Sequence, residues 1–449
     1  MKVLVIGNGA REHALAWAAF GPRPQAGEGK APRGHEVFCA PGNAGTSGIA
    51  RNLPLNPQDP AAVVAACREL AINLVIVGPE QPLAAGLVDA LANAGIAAFG
   101  PPSKSAALEA SKSAARAFAE RHGVPCAATV RFRGPEGLAE LRRYLDENRG
   151  RRLVLKKSGL AAGKGVLESD DPSELSSFGE AVLAADELLA EEYLVGHELS
   201  LFALCTGKDY RILEPAVDHK KALAGDRGPN TGGMGAVSPV PFADAKLLGD
   251  IERRIVEPSF SGMAEEGLGY RGVLFFGIMV TQEGPKLLEY NVRFGDPEAQ
   301  SVLPRLEGDF SELCAGVAAG RIPETRFSPR HACGVVVAAP GYPIAHPRGL
   351  PVDLSAAGAQ AAQGRPEVDL GPTPGETGPA ALLFQAATGR DSEGGLRTGG
   401  GRCFTAVGLG PDWKTARDRA YNLAGRVNFE GAWYRPDIGE KVYAGAMKP

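Results

Sequence analysis

A parallel α/β sheet at the front of the chain, followed by a mixed α+β body, is the fold class this sequence predicts, and three observations predict it. Short apolar runs alternate with helical stretches over the first hundred residues, a glycine-rich loop follows directly on Val154-Leu155, and two strand-like runs lie close together at Val273–Val280 and Lys286–Tyr290. At the front, strands at Val3–Ile6, Val37–Cys39, Leu74–Val77 and Ala97–Phe99 are separated by helical patterns at Glu12–Ala19, Ala61–Ala71 and Leu83–Ala94. Short apolar runs bury as strands and 3.6-residue stripes bury as helix faces, so their alternation gives βαβ units. Pro22–Gly34, rich in Gly, Pro and basic residues, reads as a surface insertion.

From Lys104 a helical pattern runs to about His122, and Gly123-Val124-Pro125 then turns the chain into another strand. Residues 153–206 give a strand, the glycine-rich loop, a helix near Pro172–Ala185 and a strand entering Glu191-Glu192-Tyr193-Leu194. Residues 210–325 form a larger body that includes a polar loop at Asp218–Met234. After Pro329 the apolar strand Cys333–Ala338 restarts a compact unit, and Ser355–Gly378, mostly small and polar, reads as an inserted loop. The expected domains are 1–103, 104–327 with a small unit at about 126–195, and 328–449.

A chain of 449 residues exceeds one ordinary hydrophobic core. With 44% hydrophobic and 22% charged residues and no apolar run near bilayer length, it reads as soluble and globular. The start, MKVLVIGNG, has no separate apolar segment and cleavage site, which predicts a mature cytoplasmic N-terminus. Seven widely spaced cysteines lack the close pairs of zinc sites and redox dithiols, so buried free thiols are expected. A net charge of −4 offers no general field for nucleic acid. Small-molecule partners are expected, with no nucleic acid, no membrane, and a monomer or weak homodimer.

In Val154–Val166, VLKKSGLAAGKGV, a strand runs into Gly159, Gly163 and Gly165, whose lack of side chains lets backbone N–H groups approach an anion. Lys156 and Lys164 add positive charge, and Lys112 joins them if the preceding segment folds alongside. The spacing is not G-x-x-x-x-G-K-[ST], because Val166 follows Gly165. Alone, the segment is an anion-covering loop or an ordinary turn. Alternation along a strand puts Glu289 and Asn291 on one face, and their oxygens suit hard Mg²⁺. Arg293-Phe294-Gly295-Asp296-Pro297-Glu298 follows at once. The Glu191–Leu194 segment can present backbone groups to an adenine edge, with Glu198 placed to accept from ribose hydroxyls.

Together these residues resemble the ATP-grasp superfamily and, within it, the phosphoribosylamine–glycine ligases, or glycinamide ribonucleotide synthetases. The carriers, over nearly the whole chain, are Gly7-Asn8-Gly9-Ala10-Arg11-Glu12-His13-Ala14, Pro41-Gly42-Asn43-Ala44-Gly45-Thr46, Val77-Gly78-Pro79-Glu80, Gly159 to Val166, Asp218-His219-Lys220, Gly228-Pro229-Asn230-Thr231-Gly232-Gly233-Met234-Gly235, and Asn291 to Glu298.

The resemblance implies an ATP-grasp fold with an N-terminal parallel α/β domain, a small lid and a C-terminal domain. It implies ATP-dependent ligation of glycine to 5-phosphoribosylamine through a glycyl phosphate, with Mg²⁺ or Mn²⁺, in purine biosynthesis. By the same resemblance, Lys112 and Lys156, with Gly163, Lys164 and Gly165, contact ATP phosphates. Glu191, Glu192 and Leu194 meet the adenine, Glu198 the ribose, and Glu289 and Asn291 the metal. Arg293 is expected to hold glycine's carboxylate and stabilise charge in transfer, since a guanidinium offers a planar fork to oxyanions; its alternative is a structural ion pair with Asp296. Asp218 and Asp296 suit an ammonium or ribose hydroxyls, Gly9 and Glu80 the phosphoribosylamine, and Arg402 its phosphate. His13 and His219 are either proton carriers or hydrogen-bonded scaffolding.

The chain departs from the family pattern in four places. Lys156-Lys157-Ser158 stands where Lys-Ala-Asp is usual, Ala10 replaces a glycine, Gln385 a histidine and Gly399 an asparagine. Three other readings compete. A dinucleotide-binding oxidoreductase is disfavoured because Glu12 occupies the third position of G-x-G-x-x-G. A catalytically silent nucleotide binder sits poorly with Lys156, Glu289, Asn291 and Arg293. A neighbouring ATP-grasp activity would not need the Gly228–Gly235 motif.

Overall fold

The computed structural model describes residues 1–21, 34–161, 165–207, 209–370 and 378–445. Its first sheet is parallel throughout, with strands β1 (Lys2–Gly7), β2 (Glu36–Pro41), β3 (Arg51–Asn52), β4 (Leu74–Val77) and β5 (Ala97–Phe99) in the order β3-β2-β1-β4-β5. Helices α1 (Ala10–Phe20), α2 (Pro60–Glu69), α3 (Glu80–Ala84) and α4 (Leu87–Asn93) connect or flank these strands. The single helix expected over Leu83–Ala94 is two, because Gly86 takes a left-handed conformation, φ 82°, between α3 and α4. That conformation is nearly free for glycine and ends a helix.

The helical stretch expected from Lys104 to His122 also divides, into α5 (Ser103–Ala110) and α6 (Lys112–Arg121). Ser111 is extended, with φ −136° and ψ 109°, and its hydroxyl accepts from Ala114 N, so it caps the second helix. The break starts α6 at Lys112.

A four-stranded antiparallel sheet follows, in the order β6-β9-β7-β8, from β6 (Thr129–Phe132), β7 (Leu153–Lys157), β8 (Val166–Ser169) and β9 (Leu188–Glu192). Helices α7 (Gly134–Glu147) and α8 (Pro172–Leu183) cover it. It has a small core of its own, formed by Phe132, Leu141, Leu153, Leu155, Leu175 and Leu188 among others. The loop between β7 and β8 is the glycine-rich segment, of which residues 162–164 lie outside the described residues.

A second antiparallel sheet, β11-β10-β16-β17, consists of β10 (His197–Thr206), β11 (Tyr210–Ile212), β16 (Arg271–Thr281) and β17 (Gly284–Asn291). The expected polar loop at Asp218–Met234 is structured in part: β12 (Val217–Asp218) leads to a hairpin of β13 (Lys221–Leu223) and β14 (Arg227–Asn230), and β15 (Gly235–Ser238) follows. Helices α9 (Ala245–Ile251) and α10 (Glu257–Glu265) precede β16, and α11 (Glu298–Val302) and α12 (Phe310–Ala318) follow β17.

The last sheet has six strands in the order β12-β15-β18-β23-β20-β19, with β18 (His331–Ala338), β19 (Glu367–Val368), β20 (Ala381–Gln385) and β23 (Arg402–Gly410). It takes β12 and β15 from before residue 328, with Gly235 opposite Val335 and Ser238 opposite Ala332. A hairpin of β21 (Thr388–Arg390) and β22 (Leu396–Thr398), the short helix α13 (Ala359–Ala362), α14 (Trp413–Ala424) and α15 (Glu440–Tyr443) complete the chain. The insertion expected at Pro22–Gly34 falls on residues outside the described set except for Gly34; within Ser355–Gly378, α13 and β19 are present and residues 371–377 lie outside it. All seven cysteines are free, and six of them are buried.

Candidate active site

The turn after β1 is built around Glu12. Its carboxylate accepts from Gly9 N at 2.6 Å and from Arg11 Nε at 2.6 Å, at the N-terminus of α1. A Cβ on Gly7 or Gly78 would lie 2.4 Å or 2.2 Å from Glu12 atoms, so both positions must be glycine for that carboxylate to fit. The helix N-terminus that would bind a dinucleotide's pyrophosphate is therefore filled by the chain's own anion. Gly9 lines the cleft described below, but its amide is already engaged.

A cleft of about 610 Å³ draws its lining from every part of the fold. The N-terminal domain contributes Gly9 and Glu80; α5 and α6 contribute Glu109, Lys112 and Arg116; the β7–β8 unit contributes Lys156, Gly165 and Glu191. Asp218, Lys220, Glu289, Asn291, Arg293, Asp296 and Glu298 line it from the central body, and Tyr342 and Arg402 from the C-terminal part. Glu192, Leu194 and Glu198 are not among its lining residues, and Gly163 and Lys164 lie outside the described residues.

Glu289 and Asn291 share a face of β17, with Asn291 Nδ2 donating to Glu289 Oε1 at 3.3 Å. Burial would raise the Glu289 carboxyl, but the ammonium groups of Lys220, Lys156 and Lys112 outweigh it and hold the pKa at about 2. Burial lowers the pKa of Lys112, with Glu289 opposing the shift and Lys156 adding to it. Lys220 is moved up: burial works against it, but Glu198, 2.7 Å away, and Glu289 prevail. The result is a carboxylate that is ionised at neutral pH among three lysine side chains. An ionised carboxylate beside an amide oxygen fits a hard divalent cation, which takes one or two protein ligands and completes its shell from nucleotide phosphates and water. Among the described residues no cluster of three or more His, Cys, Asp or Glu could hold a metal by itself.

Glu191 does not turn its side chain to an adenine. It is 2% exposed, and its carboxylate is clamped between Lys156 Nζ at 2.7 Å and Arg116 Nη2 at 2.5 Å. Any adenine contact at this residue would have to use the backbone. Glu192 is held elsewhere, accepting from Ala128 N at 3.0 Å and Lys286 Nζ at 3.2 Å.

Arg293 does not pair with Asp296. Its Nη2 donates to Glu109 at 2.6 Å and to Asn291 Oδ1 at 3.0 Å, and its Nε stands 3.7 Å from Glu80. Burial opposes its charge, but Glu109 and Glu80 raise its pKa, so it stays a cation. Glu109 also accepts from Val292 N at 2.8 Å, which fixes the backbone just before Arg293. Asp296 pairs with Arg402 at 3.1 Å, and Arg402 Nη1 also donates to Gly232 O at 2.6 Å and Asp296 O at 2.8 Å. Tyr342 accepts from Gly232 N at 3.0 Å. Asp218 is raised well above the usual carboxylate range by burial and by neighbouring Glu298. Its Oδ1 is buried without a hydrogen-bond partner among the described residues, and a Cβ at Gly233 would come within 2.6 Å of it.

His13 and His219 are scaffolding. His13 Nδ1 accepts from Gln385 N at 2.9 Å and its Nε2 lies 3.1 Å from Gly364 O; His219 Nε2 accepts from Gly439 N at 3.1 Å. Burial lowers their pKa values to about 3 and about 4. Gln385, which is fully buried, and Gly399 are not among the cleft's lining residues.

Glu109, Arg116 and Tyr342 are cleft residues outside every motif, and Lys220 is one to which its motif gave no role. Lys220 and Glu12 sit inside quoted motifs, whereas Glu109 and Arg116 lie on ordinary amphipathic helices with no local signal.

A parallel N-terminal sheet, a small antiparallel lid and a larger antiparallel sheet around a lysine-lined cleft constitute the ATP-grasp fold. The chain matches the phosphoribosylglycinamide synthetase N domain over residues 1–109, its ATP-grasp (A) domain over 110–299 and its C domain over 332–441. It is 40% identical over 448 residues to the phosphoribosylamine–glycine ligase of Phenylobacterium zucineum, covering 98% of this chain and 99% of that one. The crystal structure of the phosphoribosylamine–glycine ligase of Thermotoga maritima superposes with a TM-score of 0.78 at 30% identity, over 98% of this chain and 100% of that one. The biotin carboxylase domain of Hydrogenobacter thermophilus 2-oxoglutarate carboxylase, at 18% identity and a TM-score of 0.67, covers 96% of this chain and 91% of its own and shares the fold. The chain belongs to the phosphoribosylglycinamide synthetase family.

Proposed function

We propose that this chain ligates glycine to 5-phosphoribosylamine, converting ATP to ADP and phosphate and giving glycinamide ribonucleotide in de novo purine biosynthesis. One observation carries the reading: a single cleft is lined both by Lys112, Lys156 and Lys220 around Glu289 and Asn291, and by Arg293, Asp218, Glu80 and Asp296. The first set suits a metal–nucleotide phosphate group, the second a zwitterion and a sugar.

A carboxylate is a poor electrophile until one oxygen becomes a leaving group. An oxygen of glycine's carboxylate attacks the γ-phosphorus of ATP, the bond to the bridging β-γ oxygen breaks, and ADP leaves. The phosphoribosylamine nitrogen then attacks the carbonyl carbon of glycyl phosphate, phosphate departs, and the nitrogen releases a proton to solvent. Arg293, held by Glu109, binds the glycine carboxylate and stabilises charge as the phosphoryl group moves. Asp218, with an unused acceptor oxygen, receives the glycine ammonium. Glu80 and Asp296 receive the ribose, Arg402 the sugar phosphate, and Lys112 and Lys156 the ATP phosphates. Backbone groups at Glu191 to Leu194 read the adenine, and Glu198 the nucleotide ribose. Mg²⁺ or Mn²⁺ held by Glu289 and Asn291 would neutralise phosphate charge during transfer.

We also propose the division 1–103, 104–327 and 328–449, with the β12–β15 segment tying the last two units. No helix among the described residues is long and apolar enough to cross a membrane. Cytoplasmic residence and a monomeric or weakly dimeric state, without nucleic-acid or membrane partners, belong to the same proposal. The test is ADP release from ATP and Mg²⁺ with glycine and phosphoribosylamine added singly and together. Both are required on this reading. Turnover without glycine would favour a neighbouring ATP-grasp activity, and no turnover under any combination would defeat the ligase reading.

A further inference from the structure

The root of the glycine-rich loop, Lys156-Lys157-Ser158, carries two lysines and no carboxylate of its own. A carboxylate from elsewhere in the chain reaches this segment. Asp186, between α8 and β9, accepts from Gly159 N through Oδ2 at 3.2 Å, and the same oxygen lies 3.6 Å from Lys157 Nζ. Asp186 is itself held in place. Its N donates to Val182 O at 2.9 Å, its Oδ1 accepts from Glu187 N at 2.7 Å, and Glu187 O accepts from Ser158 N at 2.9 Å. The approach to Gly159 is close enough that a Cβ there would sit 2.7 Å from Asp186 Oδ2.

The same loop root is bonded on its other side to the start of α6. Ser158 O accepts from Lys112 N at 2.9 Å, Ser158 Oγ accepts from Ser113 N at 3.2 Å, and the Ser111 and Ser158 hydroxyls are 3.2 Å apart. Lys112 and Lys156, one on each side of this junction, both line the cleft. Asp186 also lies near enough to Lys112 for its charge to oppose the downward shift that burial imposes there.

We propose that Asp186 is a positioning residue for the nucleotide-phosphate site, the carboxylate that anchors the loop root. It acts through Gly159 and Lys157 and does not touch the nucleotide. The hydroxyl left at Ser158 serves as a neutral acceptor at the N-terminus of α6, so the positive end of that helix is not cancelled by an adjacent anion. The inference rests on the nucleotide role proposed for Lys112 and Lys156.

The test uses the full-length chain and ATP with Mg²⁺ in calorimetric titrations without glycine, alongside steady-state assays. Asp186→Ala is expected to weaken ATP binding and raise its KM about tenfold, the scale of one lost charge-assisted hydrogen bond, with a much smaller change in kcat. Asp186→Asn, which keeps one acceptor but no charge, is expected to fall between it and wild type; it is read in place of Asp186→Ala should that variant not fold. Wild-type ATP affinity in folded Asp186→Ala, or a loss confined to kcat, would overturn the inference. A wild-type chain that neither binds nor turns over ATP would count against the proposed function instead.

Discussion

Replacing Glu289 by glutamine separates metal-assisted from metal-free nucleotide binding. Burial raises this carboxyl's pKa, yet Lys220, Lys156 and Lys112 bring it from an ordinary 4.5 to about 2. The difference, 4.5 − 2, corresponds to about 3 kcal/mol at about 1.36 kcal/mol per pKa unit, an order of magnitude for the net advantage of the ionised form. Glutamine keeps the volume and one acceptor near Asn291 but removes that charge, leaving three ammonium groups facing one another. A metal then loses its anionic ligand, while a metal-free nucleotide meets one negative charge fewer. The concentration of Mg²⁺ giving half-maximal turnover should therefore rise roughly a hundredfold. ATP titrated in the presence of a chelator should bind at least as tightly as to wild type. The stability contributed by the ionised carboxylate is complete above pH 4.5 and lost as the pH falls toward 2, so at neutral pH the comparison with wild type is made at its full size. An unchanged Mg²⁺ requirement, or a parallel loss of metal-free binding, would refute the reasoning.

Glu109→Gln should cost about 3 kcal/mol of stability, read from urea unfolding, and raise the glycine KM at least about tenfold, because Arg293 loses its anionic partner at 2.6 Å; unchanged glycine saturation would remove Glu109 from the site. Tyr342→Phe, which deletes the acceptor for Gly232 N, should raise the phosphoribosylamine KM about fivefold and leave that of ATP alone, as separate titrations of the two substrates would reveal. His13 and His219 are held neutral by burial, with pKa values of about 3 and about 4 against an ordinary 6.5. Unfolding therefore takes up protons below pH 6.5, and stability should fall from there as the pH drops toward 4 and then 3. Urea midpoints at neutral and mildly acidic pH measure this, and a midpoint that does not move would contradict the neutral assignments.

The parallel front sheet was legible because each strand and helix shows its own period: Val3–Ile6, Leu74–Val77 and Ala61–Ala71 all fall inside observed elements or within two residues of their ends. The divided helices were not, since Ser111 and Gly86 act through backbone conformation while the apolar stripe continues across them. Within the site, Glu289 and Asn291 could be read because strand alternation fixes their common face. The side-chain partners of Glu191 could not be read, for the converse reason. Its strand position was right, but its side chain's environment depends on Arg116 and Lys156, which are distant in sequence and meet it only in the folded chain. Arg293's partner was missed in the same way, because Glu109 lies 184 residues away. Asp186 carries no motif at all; only the folded chain brings it to Gly159.

The central claim is that glycine's carboxylate is activated by phosphoryl transfer in this cleft. Glycine labelled with oxygen-18 in both carboxylate positions tests it most directly, by mass analysis of the inorganic phosphate released during turnover with ATP, Mg²⁺ and phosphoribosylamine. The account predicts one labelled oxygen in each phosphate and the other retained in the amide of the product. Phosphate carrying no label would contradict it.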